Sequence, residues 1–144
     1  MWRAIHIARD AGKIGEVPVG AIIVDSEGKI LATGSNRTIV NIDPTAHAEI
    51  LALRVAALRI NNYRLTGTTV YTTIEPCAMC AGALVNARVA RLVFGAHDER
   101  FGAVETLFRA CDHPKLNHRL DVTGGILAKE CAALMQDFFQ ARRK

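Results

Sequence analysis

The sequence predicts a layered α/β domain, in which a mixed β-sheet is covered by helices on both faces. Short β-branched runs alternate along the chain with longer apolar-periodic segments, the order typical of strands and helices in α/β proteins. At 144 residues the chain is long enough for a substantial core, and it contains no repeat or Gly/Ser-rich linker that would divide it. We therefore expect residues 1–144 to form a single domain.

The first half of the chain is predicted to contain a helix, a β-hairpin and a second helix. The N-terminal segment MWRAIHIARDAGK mixes charged and apolar residues, as an amphipathic helix does. The runs VGAIIV (19–24) and ILATG (30–34), joined by the turn DSEGK, are typical of a hairpin. After a polar loop, Asp43 and Pro44 suit the N-cap and first position of a helix that continues to about Asn61, with a start two or three residues later as the alternative.

The second half is predicted to contain three strands and two helices. TTVYTTI (68–74) is rich in β-branched residues, and the next helix begins at Cys77, directly after Pro76. ARLVFGA (90–96) is the following strand, LDVTGG (120–125) a fifth, and LAKECAALMQDFFQARR a last amphipathic helix. This order places Cys77 at the carboxyl end of a strand, the edge where ligands bind in open α/β sheets.

The composition is that of a globular protein with a mild positive charge. Half of the residues are hydrophobic, and 18 Lys and Arg against 14 Asp and Glu give a net charge of +4. This charge permits a nucleic-acid partner without requiring one, as does the basic ARRK terminus. No apolar run approaches the roughly 18 residues of a membrane helix. Because the N-terminus also lacks the apolar core of a secretory signal, we expect a cytoplasmic protein with no membrane partner.

Cys77 and Cys80 form a CxxC motif at a predicted helix start. Side chains three positions apart share a helix face, and a helix N-terminus favours the thiolates that metals bind. On its own, the motif fits a redox dithiol, half of a structural zinc site or an accident of packing. Cys111 and Cys131 lie apart from it and are more typical of buried thiols.

An upstream histidine and glutamate favour a catalytic metal site. His47 would give Cys77 and Cys80 a third ligand and leave the fourth position for water, as in catalytic zinc sites. Glu49 would then be the acid/base that acts on this water. An isolated HxE at a helix start is more often a capping histidine beside a solvated carboxylate. Joined to PCxxC, the pair is better explained by chemistry.

The motifs HAE and PCAMC together resemble the signature of the zinc-dependent cytidine/deoxycytidylate deaminase superfamily. Longer segments are similar to the bacterial tRNA adenosine deaminases, the TadA family, in the same order across most of residues 15–143. Among them are GEVPVGAIIV, NRTIVNIDPTAHAEILALR, EPCAMCAGALVNARVARLVFGA and GILAKECAALMQDFFQARR. The resemblance implies a three-layer cytidine-deaminase-like fold with a five-stranded mixed sheet. It also implies a homodimer that binds a tRNA anticodon stem-loop.

The reaction that the resemblance implies is hydrolytic deamination of adenosine to inosine at the wobble position of an arginine tRNA anticodon. Zinc, one ion per subunit, would activate water. The zinc ligands match His47, Cys77 and Cys80, and the proton shuttle matches Glu49. The substrate contacts of the family match one residue that holds the flipped nucleoside, one near the anticodon loop and two on the last helix: Asn36, Asp98, Phe139 and Arg142.

One segment departs from the family pattern. The family usually has GAxGSL after the position of Asp98, whereas this chain has GAVETL, preceded by Phe101. Glu105 replaces a glycine, and Thr106 replaces a serine. Because glycine adopts a positive φ without penalty, we expect the loop to differ in shape. Glu105 would also weaken phosphate contacts if it faced the RNA.

Two other functions remain open at this point. A deaminase of a free base or nucleotide, such as guanine or cytosine, would share the zinc centre. A zinc-stabilised RNA-binding module without turnover would not need Glu49.

Overall fold

The computed structural model describes residues 1–143, which build a five-stranded mixed sheet with two helices on each face. Lys144, the last residue of the ARRK terminus, lies outside the described residues. The elements in chain order are α1 (Trp2–Lys13), β1 (Gly20–Val24), β2 (Ile30–Ser35), α2 (Ala48–Ile60), β3 (Thr69–Ile74), α3 (Ala78–Asn86), β4 (Arg91–Ala96), β5 (Asp121–Thr123) and α4 (Ala128–Arg142). This architecture confirms the predicted three-layer fold.

The strand order of the sheet is β2-β1-β3-β4-β5. Strand β1 pairs antiparallel with both β2 and β3, whereas β3, β4 and β5 are parallel to one another. Parallel neighbours need a crossover connection, and α3 supplies it between β3 and β4. The carboxyl ends of β3 and β4 therefore lie side by side at one edge of the sheet.

The β1–β2 hairpin approaches both helical layers closely at two glycines. A Cβ atom on Gly20 would lie 2.1 Å from the carbonyl oxygen of Ala4 in α1. A Cβ atom on Gly34 would lie 2.3 Å from the carbonyl oxygen of Ala48 in α2. Any side chain would separate strand and helix at these points. The contact at Gly34 therefore sets how closely the start of α2, with His47, approaches the sheet.

The second helix begins later than the sequence predicted. Helix α2 starts at Ala48 with His47 as its N-cap, four residues after Pro44 and beyond the alternative start two or three residues later. Asp43 instead accepts hydrogen bonds from the backbone N–H and the hydroxyl of Thr45, at 2.8 and 2.7 Å. The aspartate oxygen expected to cap the helix closes a short turn in front of it. As a result, His47 precedes the helix.

The larger hydrophobic core lies between the sheet and the layer formed by α2 and α3. Small buried side chains such as Ala52 and Ala81 bring these helices close to strand residues such as Leu92. Burial of apolar surface stabilises this layer by about 25 cal/mol per Å². A smaller cluster under α1 and α4 contains Ile5 and Cys131.

Some apolar side chains of helix α2 face away from the core. Its residues Val55 and Leu58 are 50% and 83% exposed. Within residues 1–143, no helix has the length and apolar character that crossing a membrane requires. The exposed apolar surface of Val55 and Leu58 is not covered by packing within residues 1–143.

Candidate active site and metal centre

The predicted metal ligands meet where two helices begin, at the carboxyl edge of the sheet. Cys77 is the N-cap of α3 and follows the end of β3, as the sequence predicted. Cys80 lies in the first turn of α3, and His47 is the N-cap of α2. Since α2 and α3 pack against each other, their amino ends bring the three side chains together.

His47, Cys77 and Cys80 form a compact group of potential ligands. The Nδ1 atom of His47 lies 3.6 Å from Sγ of Cys77 and 3.5 Å from Sγ of Cys80. All three ligand atoms lie within 4.8 Å of one another, which is close enough to hold one metal ion. The structure thus brings together the three residues that were predicted as metal ligands.

The pKa values of His47, Cys77 and Cys80 are shifted in different directions. A hydrogen bond from Cys80 lowers the pKa of Cys77 to about 4, against the effect of burial and with help from His47. The same contact, together with burial, raises the pKa of Cys80. A hydrogen bond with Cys77 raises the pKa of His47. A metal ion bound here would displace these protons, because metal ligands bind in their deprotonated forms.

Glu49 lies in the first turn of α2, beside the ligand group. Its side chain is only 3% exposed, and its Oε1 accepts a hydrogen bond of 2.9 Å from the hydroxyl of Thr72 in β3. Because His47 precedes the helix and Glu49 is on its first turn, the two side chains reach the same edge without sharing a helix face. A carboxyl group fixed in this way suits proton transfer to and from a ligand.

A cavity of about 510 Å³ is lined by Glu49 and by two members of the ligand group, His47 and Cys77, while Cys80 is fully buried. Three of the four predicted substrate contacts also line it. They come from different parts of the fold: Asn36 follows β2, Asp98 follows β4, and Phe139 belongs to α4. Phe101, from the loop that departs from the family pattern, lines the same cavity. Both helical layers and the ends of three strands, β2, β3 and β4, thus contribute to one site.

Arg142, the fourth predicted substrate contact, does not line this cavity. Its guanidinium group donates a hydrogen bond of 2.6 Å to the carbonyl oxygen of Gly15. The guanidinium carbon also lies 4.2 Å from the centre of the Phe138 ring. Phe138 is half-buried, whereas the adjacent Phe139 is exposed at the cavity. Arg142 therefore ties the end of α4 to the turn between α1 and β1.

A buried carboxyl group stands behind Asn36. Glu16 is fully buried, and its Oε1 accepts hydrogen bonds from the backbone N–H groups of Ile39 and Val40, at 2.9 and 2.7 Å. Its Oε2 accepts from the amide of Asn36 at 3.4 Å and from the hydroxyl of Thr38 at 3.5 Å. Glu16 thereby fixes both the loop after β2 and the side chain of Asn36.

A second buried carboxyl group, that of Glu75, fastens the loop after β4. Its Oε2 accepts hydrogen bonds from three successive backbone N–H groups, those of Val104, Glu105 and Thr106, at 3.1, 2.8 and 2.9 Å. Its Oε1 accepts from the Thr106 hydroxyl and the Asp98 backbone N–H. Burial opposes ionisation, but the hydrogen bonds from Thr106, Glu105 and Asp98 outweigh it and lower the pKa of Glu75 to about 2. An ionised carboxylate therefore anchors the segment that carries Asp98.

The loop that departs from the family pattern has no strained backbone at the substituted positions. Neither Glu105 nor Thr106 has a positive φ, so the geometry that favours glycine is not required there. The carboxylate of Glu105 lies 3.0 Å from Nε2 of His97 and 4.0 Å from the guanidinium of Arg109. The Glu105 side chain is therefore held by contacts within the protein, although the Arg109 guanidinium makes its shorter contacts with Asp112. The Thr106 hydroxyl donates a hydrogen bond to Glu75, and a serine hydroxyl would supply the same donor.

Three supporting residues of the site, Thr72, Glu16 and Glu75, were not among the sequence predictions. The two glutamates did leave a signal in GEVPVG and TIEPC, where a carboxyl group stands among apolar residues. A buried carboxylate needs several donors, so such a position indicates a structural hydrogen-bond network. Thr72 is one of four threonines in TTVYTTI, and nothing in the sequence distinguishes it.

The remaining cysteines have the surroundings that the sequence predicted. Cys111 and Cys131 are both buried, and burial raises the pKa values of their thiols to about 12 and about 11. They lie outside the ligand group. Their role is therefore one of packing.

Known proteins similar to this chain are deaminases. A family model described as MafB19-like deaminase matches residues 1–143. A tRNA-specific adenosine deaminase of Haemophilus influenzae is 51% identical over 144 residues, covering 100% of this chain and 83% of the relative. A solved structure from work on A-to-I editing by tRNA:A34 deaminases at the wobble position has a TM-score of 0.87 at 43% identity, covering 91% of this chain and 94% of that one. A guanine deaminase from Nitrosomonas europaea has a TM-score of 0.83 at 25% identity, covering 95% and 81%. The chain therefore belongs to the family of tRNA-specific adenosine deaminases.

Proposed function

We propose that this enzyme converts adenosine to inosine at the wobble position of a tRNA anticodon, with an arginine tRNA as the expected substrate. The proposal depends on one observation: a single cavity is lined by His47 and Cys77 of the ligand group together with Glu49 and Asn36, and Cys80 completes the ligand group. The names of the relatives support tRNA as the substrate, since one is a tRNA-specific adenosine deaminase and another comes from work on wobble-position editing. The chain would then form a single zinc-dependent deaminase domain.

Zinc is the metal that the ligand group fits. In a tetrahedral zinc site with Zn–S and Zn–N distances of about 2.3 and 2.0 Å, sulfur and nitrogen ligands lie about 3.5 Å apart. The distances from Nδ1 of His47 to the two sulfurs, 3.6 and 3.5 Å, agree with this value. Three protein ligands are the composition of a catalytic rather than a structural site, so we propose one zinc ion per subunit. When bound, zinc supplies a water molecule whose pKa is lowered towards about 7.

Glu49 is the proposed proton shuttle. Its carboxyl group accepts a proton from the attacking water and donates it to N1 of adenine as the water oxygen adds to C6. It then accepts the remaining proton from the hydroxyl group added at C6 and delivers it to the exocyclic amine. The C6–N bond breaks as the C6 carbonyl forms, so that adenosine and water give inosine and ammonia. The hydrogen bond from Thr72, at 2.9 Å, would orient the carboxyl group during both transfers.

The other residues of the cavity are proposed to bind the nucleotide. Asn36 is 6% exposed and held by Glu16, so its amide would offer hydrogen bonds to the flipped nucleoside in a fixed orientation. Asp98 and Phe139 lie at the cavity, where they would meet the anticodon loop. Arg142 lies beyond Phe139 on α4 and would contact RNA outside the cavity. Extrusion of an unpaired base costs a few kcal/mol, which such contacts would offset.

Deamination of free guanine is the second candidate function. The Nitrosomonas europaea guanine deaminase shares the fold with a TM-score of 0.83, and a zinc ligand group with a glutamate would serve that reaction too. The net charge of +4 and the 51% identity to a tRNA-specific relative favour tRNA.

The deciding experiment offers both kinds of substrate to one preparation of known zinc content. Purified protein is incubated with an arginine tRNA that has adenosine at the wobble position, and separately with free guanine and free cytosine. Inosine formed only in tRNA supports the proposal, and ammonia released from a free base supports the second candidate. Binding of tRNA without either product would indicate a binding module.

Two variants test the proton shuttle in the same assay. Glu49→Ala should retain zinc and bind tRNA but lose nearly all turnover. Glu27→Ala is the matched control, because Glu27 is exposed in the hairpin turn and should leave turnover unchanged. Substantial turnover by Glu49→Ala would remove the shuttle.

The enzyme is also proposed to act as a cytoplasmic homodimer. Val55 and Leu58 expose apolar surface on α2, and such surface often marks a protein interface. The cytoplasm is where a bacterial tRNA substrate would be met. Sedimentation of wild type and Leu58→Glu tests the dimer, since the charged variant should shift the protein towards monomer.

A further inference from the structure

We infer that Phe101 stacks on the nucleobase next to the deaminated adenosine and so contributes to RNA affinity and to sequence-context preference. The inference rests on the proposed function and extends it to a residue of this chain's own loop. Phe101 lines the cavity that contains Glu49, yet 68% of its surface is exposed.

The fold of this chain does not bury the Phe101 ring. Large apolar side chains are usually buried, but neither hydrophobic cluster described within residues 1–143 includes Phe101. Its neighbours Glu99 and Arg100 are polar and exposed, so the ring does not continue an apolar strip along the chain. What distinguishes Phe101 from other exposed apolar residues such as Phe108 is its position in the wall of the cavity, where a bound ligand would cover the ring.

The backbone that carries Phe101 is fixed. Its N–H donates a hydrogen bond of 3.2 Å to Oδ1 of Asp98, and the next N–H, that of Gly102, donates to the Asp98 carbonyl at 2.9 Å. A Cβ atom on Gly102 would lie 2.3 Å from Oε1 of Glu75, so the chain passes directly over this buried carboxylate. Because the loop backbone is already ordered, a base that stacks on Phe101 would lose little affinity to ordering it.

Extrusion of the target base from its stack explains what exposed aromatic rings at this cavity would bind. Phe139, from α4, lines the same cavity and is 44% exposed. When the target base leaves the stack to enter the cavity, each adjacent base loses one stacking partner. An aromatic side chain replaces that partner for any base, because every base has a π face. Phe101 and Phe139 therefore offer two rings from different elements at one cavity.

The test combines replacement of the ring with removal of the base. Wild type and Phe101→Ala are compared on an intact arginine tRNA with adenosine at the wobble position, and on ligated tRNAs with an abasic site immediately 5′ or 3′ of that adenosine. On intact tRNA, Phe101→Ala should raise KM roughly 5- to 100-fold with kcat unchanged. On the tRNA that lacks the stacked base, the substitution should change KM by less than about twofold.

Three further variants define the nature of the contact. Phe101→Trp should bind intact tRNA at least as tightly as wild type, and Phe101→Leu should behave like Phe101→Ala, because stacking requires an aromatic ring. Phe108→Ala is the matched control, since Phe108 is 60% exposed but does not line the cavity. The inference is overturned if Phe101→Ala has the wild-type KM on intact tRNA, if Phe101→Leu restores binding, or if the loss is equal on all three tRNAs.

The same experiment separates this inference from the proposed function. If wild type makes no inosine in intact tRNA, the proposed function fails and the stacking role fails with it. If wild type is active and Phe101→Ala is unchanged, only the stacking role fails. Sedimentation of Phe101→Ala covers the remaining alternative, because dissociation into monomers would assign the ring to a protein interface and overturn the RNA contact.

Discussion

The hydroxyl of Thr72 donates a hydrogen bond of 2.9 Å to Oε1 of Glu49, and both side chains are buried. Thr72 belongs to β3 and Glu49 to α2, so the bond ties the proposed proton shuttle to the sheet rather than to its own helix. Proton transfer needs hydrogen-bond distance and alignment at both ends. A carboxyl group with one oxygen fixed meets this need more often than one that rotates.

Replacing Thr72 with valine keeps the side-chain volume but removes the hydroxyl. We expect kcat for tRNA deamination to fall about 5- to 100-fold, because one lost hydrogen bond corresponds to roughly 1 to 3 kcal/mol. Zinc content should not change. Thr72→Ser keeps the hydroxyl and should retain most of the activity. Single-turnover rates at saturating tRNA test this, and an unchanged rate for Thr72→Val would show that Glu49 does not depend on the contact.

The ligand group predicts a specific loss of metal. Cys80→Ser should be purified with far less than one zinc ion per chain and without deaminase activity, because zinc binds thiolates much more strongly than a serine hydroxyl. Cys111→Ser is the matched control, since Cys111 is also a buried cysteine but lies outside the ligand group. Elemental analysis of both variants measures the difference. A full zinc content in Cys80→Ser would contradict the ligand assignment.

Glu75 should stabilise the protein in a pH-dependent way. Hydrogen bonds to its loop outweigh burial and lower its pKa from 4.5 to about 2, so its contribution is present above pH 4.5 and is lost as the pH falls towards 2. Glu75→Gln should therefore lower Tm by roughly 3 to 10 °C near neutral pH. The difference from wild type should shrink as the pH approaches the low end of this range.

Thermal unfolding of wild type, Glu75→Gln and the exposed control Glu27→Gln across this pH range measures the effect. Glu27→Gln should follow wild type at every pH, because the Glu27 side chain is exposed in the hairpin turn. A difference between wild type and Glu75→Gln that stays constant down to pH 2 would show that the charge of Glu75 is not what holds the loop.

Local patterns account for what could be predicted from the sequence. The short strand β5 was predicted within LDVTGG because its residues favour a strand locally. Cys77 was predicted at a strand end because Pro76 ends the β-branched run TTVYTTI directly before it. The predicted start of α2 was wrong because the local pattern at Asp43 fits two different structures. Asp43 can cap a helix or close a turn with Thr45, and only the path of the loop in the fold decides between them.

The supporting contacts of the site could not be predicted, because their partners are far apart in the chain. Thr72 lies 23 residues from Glu49, and Glu16 lies 20 residues from Asn36. Hydrophobic periodicity and motif spacing report which element a residue belongs to, but they do not report which side chains of two elements meet. The ligand group was the exception, because the metal chemistry of one His and two Cys residues links distant motifs.

Glu16 and Asn36 provide the last prediction. The Glu16 carboxyl group accepts hydrogen bonds from the Asn36 amide and from the backbone N–H of Val40. Glu16→Gln keeps the size of the side chain but replaces one acceptor oxygen with an NH₂ group, which must then face another donor. We expect KM for tRNA to rise about 10-fold, because Asn36 loses its fixed orientation, with a smaller change in kcat and an unchanged zinc content. Steady-state kinetics and metal analysis of Glu16→Gln beside Glu27→Gln test this. A loss of thermal stability with an unchanged KM would show that Glu16 supports the fold but does not position Asn36.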